Sequence, residues 1–280
     1  MKKMLRAAAL LLAALLLLCG AAAAEETELL QIHQLNVGSA DAYLLICGDT
    51  SLMIDCGTEH NAKRMEMMEY LRASGIDKLD AMIITHYHAD HVGNIRYVLE
   101  EFGDEQTVVY GPTPKMKREY SPLPAGTYCQ MLNFDEIDIG PLHLTCVGPD
   151  TIDGHGTVNR DSLNFVLTYG SRRYLFTGDF VRGQSVIRDH EELVKDVDVF
   201  KFPHHGIVPY CVDGWVVQIL QPEITLVPGV NGRHVKDMVT KYKIPETQIL
   251  DYSFGYVVLV SDGETIDVHT HVEPGQFAKQ

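Results

Sequence analysis

Six consecutive residues, His86-Tyr87-His88-Ala89-Asp90-His91, place three imidazoles and one carboxylate directly after an apolar run at 79–85. Paired isoleucines mark that run as a short buried strand, so the cluster stands where a chain leaves a strand for a turn and a following helix. From there His86 and His88 can converge on one point. Asp90 and His91, at the helix start, then face a second point nearby. Imidazole nitrogen and carboxylate oxygen are the donors that zinc accepts at about 2.0–2.2 Å. Two histidines alone would read as a solvated loop, whereas this donor density at the carboxyl end of a strand reads as a metal site.

The chain around the cluster alternates strand and helix patterns. Apolar segments at 29–37, 43–47 and 52–55 are broken by turn residues and read as antiparallel strands. From 61 to 73 the pattern changes, with Met65, Met68 and Leu71 at three-residue steps and Ser74-Gly75 as a stop, which predicts a surface helix packed on the sheet. Residues 92–101 resume helical character after the strand at 79–85. Further strands are expected at 137–147, 162–169, 173–177, 197–202, 224–227 and 249–252, with helical segments at 216–220 and 235–243. Two last strands, 256–261 and 265–270, flank the hairpin turn Asp262-Gly263. The proline-rich stretch 111–126, which carries Lys115, Lys117 and Arg118, reads as a solvated loop or lid. Strand followed by helix implies an α/β layering.

Residues 1–24 differ from the rest. Lys2, Lys3 and Arg6 precede an apolar core at 10–18, and Ala22, Ala23 and Ala24 precede Glu25, the pattern of a secretory signal cleaved after Ala24. That pattern predicts a secreted or cell-surface protein with a body spanning 25–280; an uncleaved anchor or a lipid on Cys19 ranks behind it. After residue 24 no apolar run reaches the length of a membrane span. Cleavage would remove three bases and no acid, taking the formal charge from −15 to −18. So acidic a chain lacks a generic nucleic-acid footprint. Cys47, Cys56, Cys129, Cys146 and Cys211 then remain, an odd set without a C-x-x-C pair, and no disulfide framework is expected. A hairpin about Gly48-Asp49-Thr50 would put Cys47 and Cys56 at opposite ends of its ladder, too far apart to bond.

His86-x-His88-x-Asp90-His91 followed by Gly93 resembles the signature of the metallo-β-lactamase superfamily, whose fold is a four-layer αββα sandwich. The resemblance covers essentially the whole chain after residue 24. Leu52-Met53-Ile54-Asp55-Cys56-Gly57 resembles the early strand whose aspartate and glycine support the site from behind. Gly178-Asp179, after the strand at 173–177, resembles the turn that delivers a metal-bridging carboxylate. Lys201-Phe202-Pro203-His204-His205-Gly206 resembles the segment that gives the last histidine. The resemblance thus implies two divalent metal ions, zinc first with manganese or iron as alternatives, held by His86, His88, Asp90, His91, Asp179 and His205. His204 is left to orient its neighbour or contact substrate. Many members insert a further histidine where this chain reads Asn159-Arg160-Asp161-Ser162-Leu163. Asn159, Ser162, a water, or less readily His155 is the candidate for that third position. The Asn-x-x-Ser-Leu pattern, with Thr-Gly-Asp and His-His-Gly, is similar to secreted phosphorylcholine-esterase-like enzymes and to the hydrolase domain of ComEC-type DNA-uptake proteins.

Two cations about 3.5–4 Å apart clamp both the attacking and the leaving oxygen of an in-line displacement, and zinc brings the pKa of bound water to near neutrality. The expected reaction is therefore hydrolysis of a phosphodiester or related small ester by a metal-bound hydroxide. Asp90 and Asp179 hold the metals and orient the nucleophile, and His204, Asn159 or Ser162 donates to a substrate oxygen. A nuclease of the DNA-uptake kind is the nearest alternative, disfavoured by the charge, and a non-catalytic metal-binding surface protein is the next. A flavodiiron oxidoreductase would need an acid at His88 and a flavin domain. His33, His60, His143, His190, His234, His269 and His271 lack ligand spacing and read as core or surface residues.

Overall fold

The computed structural model describes residues 28–152, 156, 159–180, 184–207 and 212–279. Residues 1–27 with Cys19, and also His155 and Cys211, lie outside the described residues. The chain opens with strands β1 (Leu30–Gln34), β2 (Ala42–Cys47) and β3 (Thr50–Cys56), then helix α1 (Asn61–Ala73). Strand β4 (Ala81–Ile83) leads into the short helix α2 (Ala89–Val92) and then α3 (Ile95–Phe102). Strands β5 (Val108–Gly111), β6 (Thr127–Gln130), β7 (Glu136–Ile139), β8 (Leu142–Gly148), β9 (Asn164–Tyr169) and β10 (Arg172–Thr177) follow. The last part runs α4 (Gln184–Val194), β11 (Val199–Lys201), α5 (Gly214–Leu220), β12 (Ile224–Leu226), α6 (Gly232–Lys241), β13 (Gln248–Leu250), β14 (Val257–Ser261) and β15 (Ile266–His269).

These strands form an eight-stranded sheet, ordered β15-β14-β1-β2-β3-β4-β5-β6, and a seven-stranded sheet, ordered β13-β12-β11-β10-β9-β8-β7. Period-two alternation decides the layers. Along β2 and β3, Tyr43, Leu45, Cys47, Leu52 and Ile54 enter the core between the sheets. Their neighbours Leu44, Ile46, Met53 and Cys56 face the opposite side, where Met67, Leu71, Val98 and Leu99 from α1 and α3 cover them. The second sheet does the same: Phe165, Leu167, Tyr174 and Phe176 point to the shared core, while Val166, Leu175 and Phe200 meet Val186, Val217 and Val235 from α4, α5 and α6. Tyr43 and Phe176 join the two sheets edge to face, ring centroids 5.6 Å apart. The result is the four-layer αββα sandwich.

Several details differ from the sequence expectations. Residues 137–147 are not one strand but the hairpin β7–β8, turning at Gly140 with φ +55°. The helical stretch at 92–101 is two helices, parted at Gly93-Asn94. Strands β5 and β6 and helix α4 were not anticipated. Cys47 pairs with Thr50 and Cys56 with Ala42, so the two cysteines occupy opposite ends of the hairpin, and both are free thiols. Among the described residues no helix is long and apolar enough to cross a membrane.

Candidate metal centre

Parallel pairing places the carboxyl ends of β3 and β4 together in one sheet and those of β10, β11 and β12 together in the other. In layered α/β proteins that is where a site forms, because the loops leaving those strands share one edge. Asp55 comes from the end of β3, its φ of 51° turning the carboxylate inward. His86 follows β4 by three residues, and His88 sits just before α2, which carries Asp90 and His91. Gly178-Asp179 follows β10, and Pro203-His204-His205 follows β11, with both histidines at positive φ.

The donors gather in two groups that share Asp179. Asp90, His91, Asp179 and His205 form one, and His86, His88 and Asp179 the other, ligand atoms within each lying inside 4.8 Å. Asp179 Oδ1 stands 3.3 Å from His91 Nε2, and its Oδ2 stands 3.6 Å from His205 Nε2 and 3.9 Å from His86 Nε2. His205 Nε2 also reaches Asp90 Oδ2 at 3.0 Å. His86 Nε2 and His91 Nε2 are buried without a hydrogen-bond partner. An orphaned buried imidazole nitrogen is costly; here two such nitrogens flank a carboxylate, the donor chemistry that divalent cations satisfy. The residues therefore fit a pair of divalent metal ions.

Supporting contacts fix the rings. His91 Nδ1 lies 2.7 Å from Asp55 Oδ2, and Asp55 also accepts from the Thr85 amide at 2.8 Å and the Thr85 hydroxyl at 2.7 Å. The backbone N–H of Asp179 donates to Ser162 Oγ at 3.0 Å and that of His204 donates to Asp179 Oδ1 at 3.1 Å. Ser162 therefore holds the Asp179 turn by its hydroxyl, and Asn159 lies against His204, Nδ2 to Nε2 3.3 Å. His204 is the more open of the neighbouring pair, its side chain 28% exposed against 5% for His205.

Charge follows from this packing. Burial pulls the His205 pKa down, but contacts with the Asp41 and Asp90 carboxylates outweigh it and hold the imidazole at about 9. Burial likewise opposes protonation of His91, yet Asp179, Asp55 and Asp41 together raise it well above its ordinary value. His86 is lowered, chiefly by burial with His91 adding repulsion. Burial favours a neutral Asp179, but His91 and His205 keep it well below the usual carboxylate range. Opposed shifts of this kind cluster at functional sites and also occur in structural ion-pair networks, so it is the donor geometry that marks this centre.

Two buried residues at the site escaped the sequence reading as participants. Asp41 lies behind His205, Oδ1 to Nδ1 3.2 Å, and Lys201 forms an ion pair with Asp41. The available signal was a lone acid between Ala40 and Ala42 at the head of an all-buried strand, and a lone lysine between Phe200 and Phe202. Of the basic residues of the proline-rich loop, Lys117 pairs with Glu119. Of the remaining histidines, His33 and His190 are buried, and His143 pairs with Asp138.

Comparison with known proteins agrees with this layout. The family described as Metallo-beta-lactamase superfamily matches residues 35–213, more than half of the chain. Beta-lactamase-like protein 2 homolog of Caenorhabditis elegans is 27% identical over 177 residues, covering 60% of this chain and 56% of that protein. ComE operon protein 3 of Bacillus subtilis is 25% identical over 175 residues, covering 60% of this chain and 22% of that protein. The match thus spans about half the length of the first relative and under a quarter of the second. Among solved structures, the metallo-beta-lactamase fold protein YhfI from Bacillus subtilis superposes with a TM-score of 0.59 at 18% identity, covering 84% of this chain and 100% of that one.

Proposed function

Because the chain belongs to the metallo-β-lactamase superfamily, we propose that it is a metal-dependent hydrolase of a phosphodiester or related small ester, acting outside the cytoplasm. The observation that carries this reading is the sharing of Asp179 between two donor groups, His86/His88 on one side and Asp90/His91/His205 on the other. When bound, a pair of divalent cations supplies Lewis acidity, polarising the ester's oxygen and making water acidic enough to attack near neutral pH. Zinc is the metal best suited to imidazole-rich, carboxylate-supported donors, with manganese or iron as the alternatives.

The chain's own residues do the rest. Asp179 and Asp90 align the two donor groups, and Asp55 and Thr85 hold His91 so that its Nε2 faces the centre. His204, partly open and next to Asp179, can donate to an ester oxygen, with Asn159 orienting its ring. Ser162 keeps the Asp179 turn in register. Export is supported by the basic-then-apolar segment before Glu25.

Turnover of bis(p-nitrophenyl) phosphate with added Zn²⁺ or Mn²⁺ tests the reading. Hydrolysis that a chelator abolishes is the expected result. No phosphodiester turnover, with cleavage of a lactone or a β-lactam instead, would replace the substrate class. The likeness to ComE operon protein 3 favours a nuclease as the second reading, against a formal charge of −15; salt-sensitive gel retardation and cutting of DNA would favour it.

A further inference from the structure

Lys201 is among the largest fully buried side chains of the molecule. Its ammonium forms an ion pair with Asp41, itself fully buried, and donates to the Gly178 carbonyl at 3.2 Å. Asp41 in turn lies at the δ1 edge of two imidazoles: Oδ1 is 3.2 Å from His205 Nδ1 and Oδ2 is 3.7 Å from His91 Nδ1. The His205 Nδ1 hydrogen bond goes to the Pro228 carbonyl at 3.2 Å, with Asp41 Oδ1 alongside as a charge contact rather than a hydrogen-bond acceptor. Asp41, Asp55 and His91 have the spacing of a third group of cation donors, and the Lys201 ammonium stands against that group as a tethered cation.

A buried ion pair contributes little to stability compared with apolar residues of the same volume, because both charges lose their water. Stability alone therefore gives no reason for a lysine and an aspartate here. Their placement gives one. Asp55 serves His91, and Asp41 stands in the corresponding place for His205, so each imidazole of the Asp90/His91/His205 group has a carboxylate behind it. Carboxylates in that position fix ring orientation and raise the basicity of the nitrogen facing a metal. Lys201 pins Asp41 and, through the Gly178 carbonyl, the turn that carries Asp179. We propose that Asp41 and Lys201 are a positioning pair for the second cation position, setting His205 and the Asp179 turn without touching substrate. This rests on the reading of His205 as a cation ligand.

Two neutral, size-matched replacements separate positioning from simple packing: Asp41→Asn with Lys201→Met, and Asp41→Leu with Lys201→Met. Stepwise Zn²⁺ dissociation constants are measured by competition with a chromogenic chelator, alongside thermal unfolding of the chelated protein. The first cation, on the His86/His88 side, keeps both imidazoles untouched and meets the change only through the shared Asp179, so it should loosen less than the second. The second should loosen by about 10–100-fold, more for the leucine variant, which leaves His205 Nδ1 only the Pro228 carbonyl. A merely structural pair would weaken both cations alike or neither. The proposal is overturned if either folded variant holds the second cation as tightly as the parent. A parent chain that binds no second cation would overturn the reading of His205 itself, and this inference with it.

Discussion

The side-chain amide nitrogen of Asn159 lies 3.3 Å from Nε2 of His204, while the same residue's Oδ1 is buried with no hydrogen-bond partner. Asn159 stands where many superfamily members are expected to carry another histidine. With one amide atom committed to His204 and the other unsatisfied, it is suited to supply a weak ligand or a substrate contact beside His204.

Asn159→Ala should lower kcat for a phosphodiester by about 10–100-fold, the range typical of losing an outer partner of a metal site. It should leave the fold and the second cation in place. Turnover measured beside metal content checks this; an alanine variant with full kcat would remove Asn159 from the site.

Asp179 is the one residue common to both donor groups. Asp179→Ala should abolish turnover and reduce the metal retained after gel filtration from two ions per chain to one or none, read by elemental analysis. It should also lessen the gap in stability between metal-loaded and chelated protein, since a ligand at about 1,000 times its Kd adds about 4 kcal/mol to the folded state. A variant retaining two ions would show that Asp179 bridges nothing.

Much of this was legible in the residues. Helix α1 runs over Asn61–Ala73 as expected, although of its three apolar steps only Met68 and Leu71 are buried and Met65 is exposed, and the hairpin register separates Cys47 from Cys56 as expected. Elements escaped where the local pattern is weak. β6 is an edge strand with no buried residue, and α4 is kinked at His190, where φ is −135°, so the spacing of Val186, Ile187 and Val194 is interrupted. The hairpin at Gly140-Pro141 carried a turn signal inside an otherwise alternating run. In the candidate site, the local cluster 86–91 was visible because its donors are adjacent in sequence. Asp41 and Lys201 were not, because each is a single charge in an apolar segment whose partner comes from the other sheet.

His33 offers a pH test away from the metal centre. It is 1% exposed, with Nδ1 2.8 Å from the Tyr70 hydroxyl, and burial lowers its pKa from 6.5 to about 3. The folded imidazole thus stays neutral where the unfolded one takes a proton. Its contribution to stability is intact above pH 6.5 and is lost as pH falls from 6.5 toward 3. The loss approaches 1.36 kcal/mol per pH unit, or about 2 kcal/mol by pH 5. His33→Gln should cost about 1 kcal/mol at pH 7.5 through the Tyr70 hydrogen bond, yet lose less on acidification. Urea unfolding at pH 7.5 and pH 5 measures both, and equal pH slopes for variant and parent would refute it.

Gly178 joins stability to the site. A Cβ there would come within 2.7 Å of Ser162 Cβ and 2.8 Å of both Thr85 Cβ and Thr85 Oγ1. None of these atoms is the free end of a flexible chain: Thr85 Oγ1 donates to Asp55 at 2.7 Å, and Ser162 Oγ accepts from the Asp179 amide at 3.0 Å. Gly178→Ala should therefore cost about 1–3 kcal/mol by overpacking. The displaced groups are the ones that orient His91 and Asp179, so turnover should fall further than the lost stability explains, with the variant still folded at the assay temperature. Urea midpoints, with an unchanged m-value, read the first effect. The kcat of the folded fraction reads the second. A variant as stable and as active as the parent would mean that Thr85 and Ser162 give way freely and do not hold the turn.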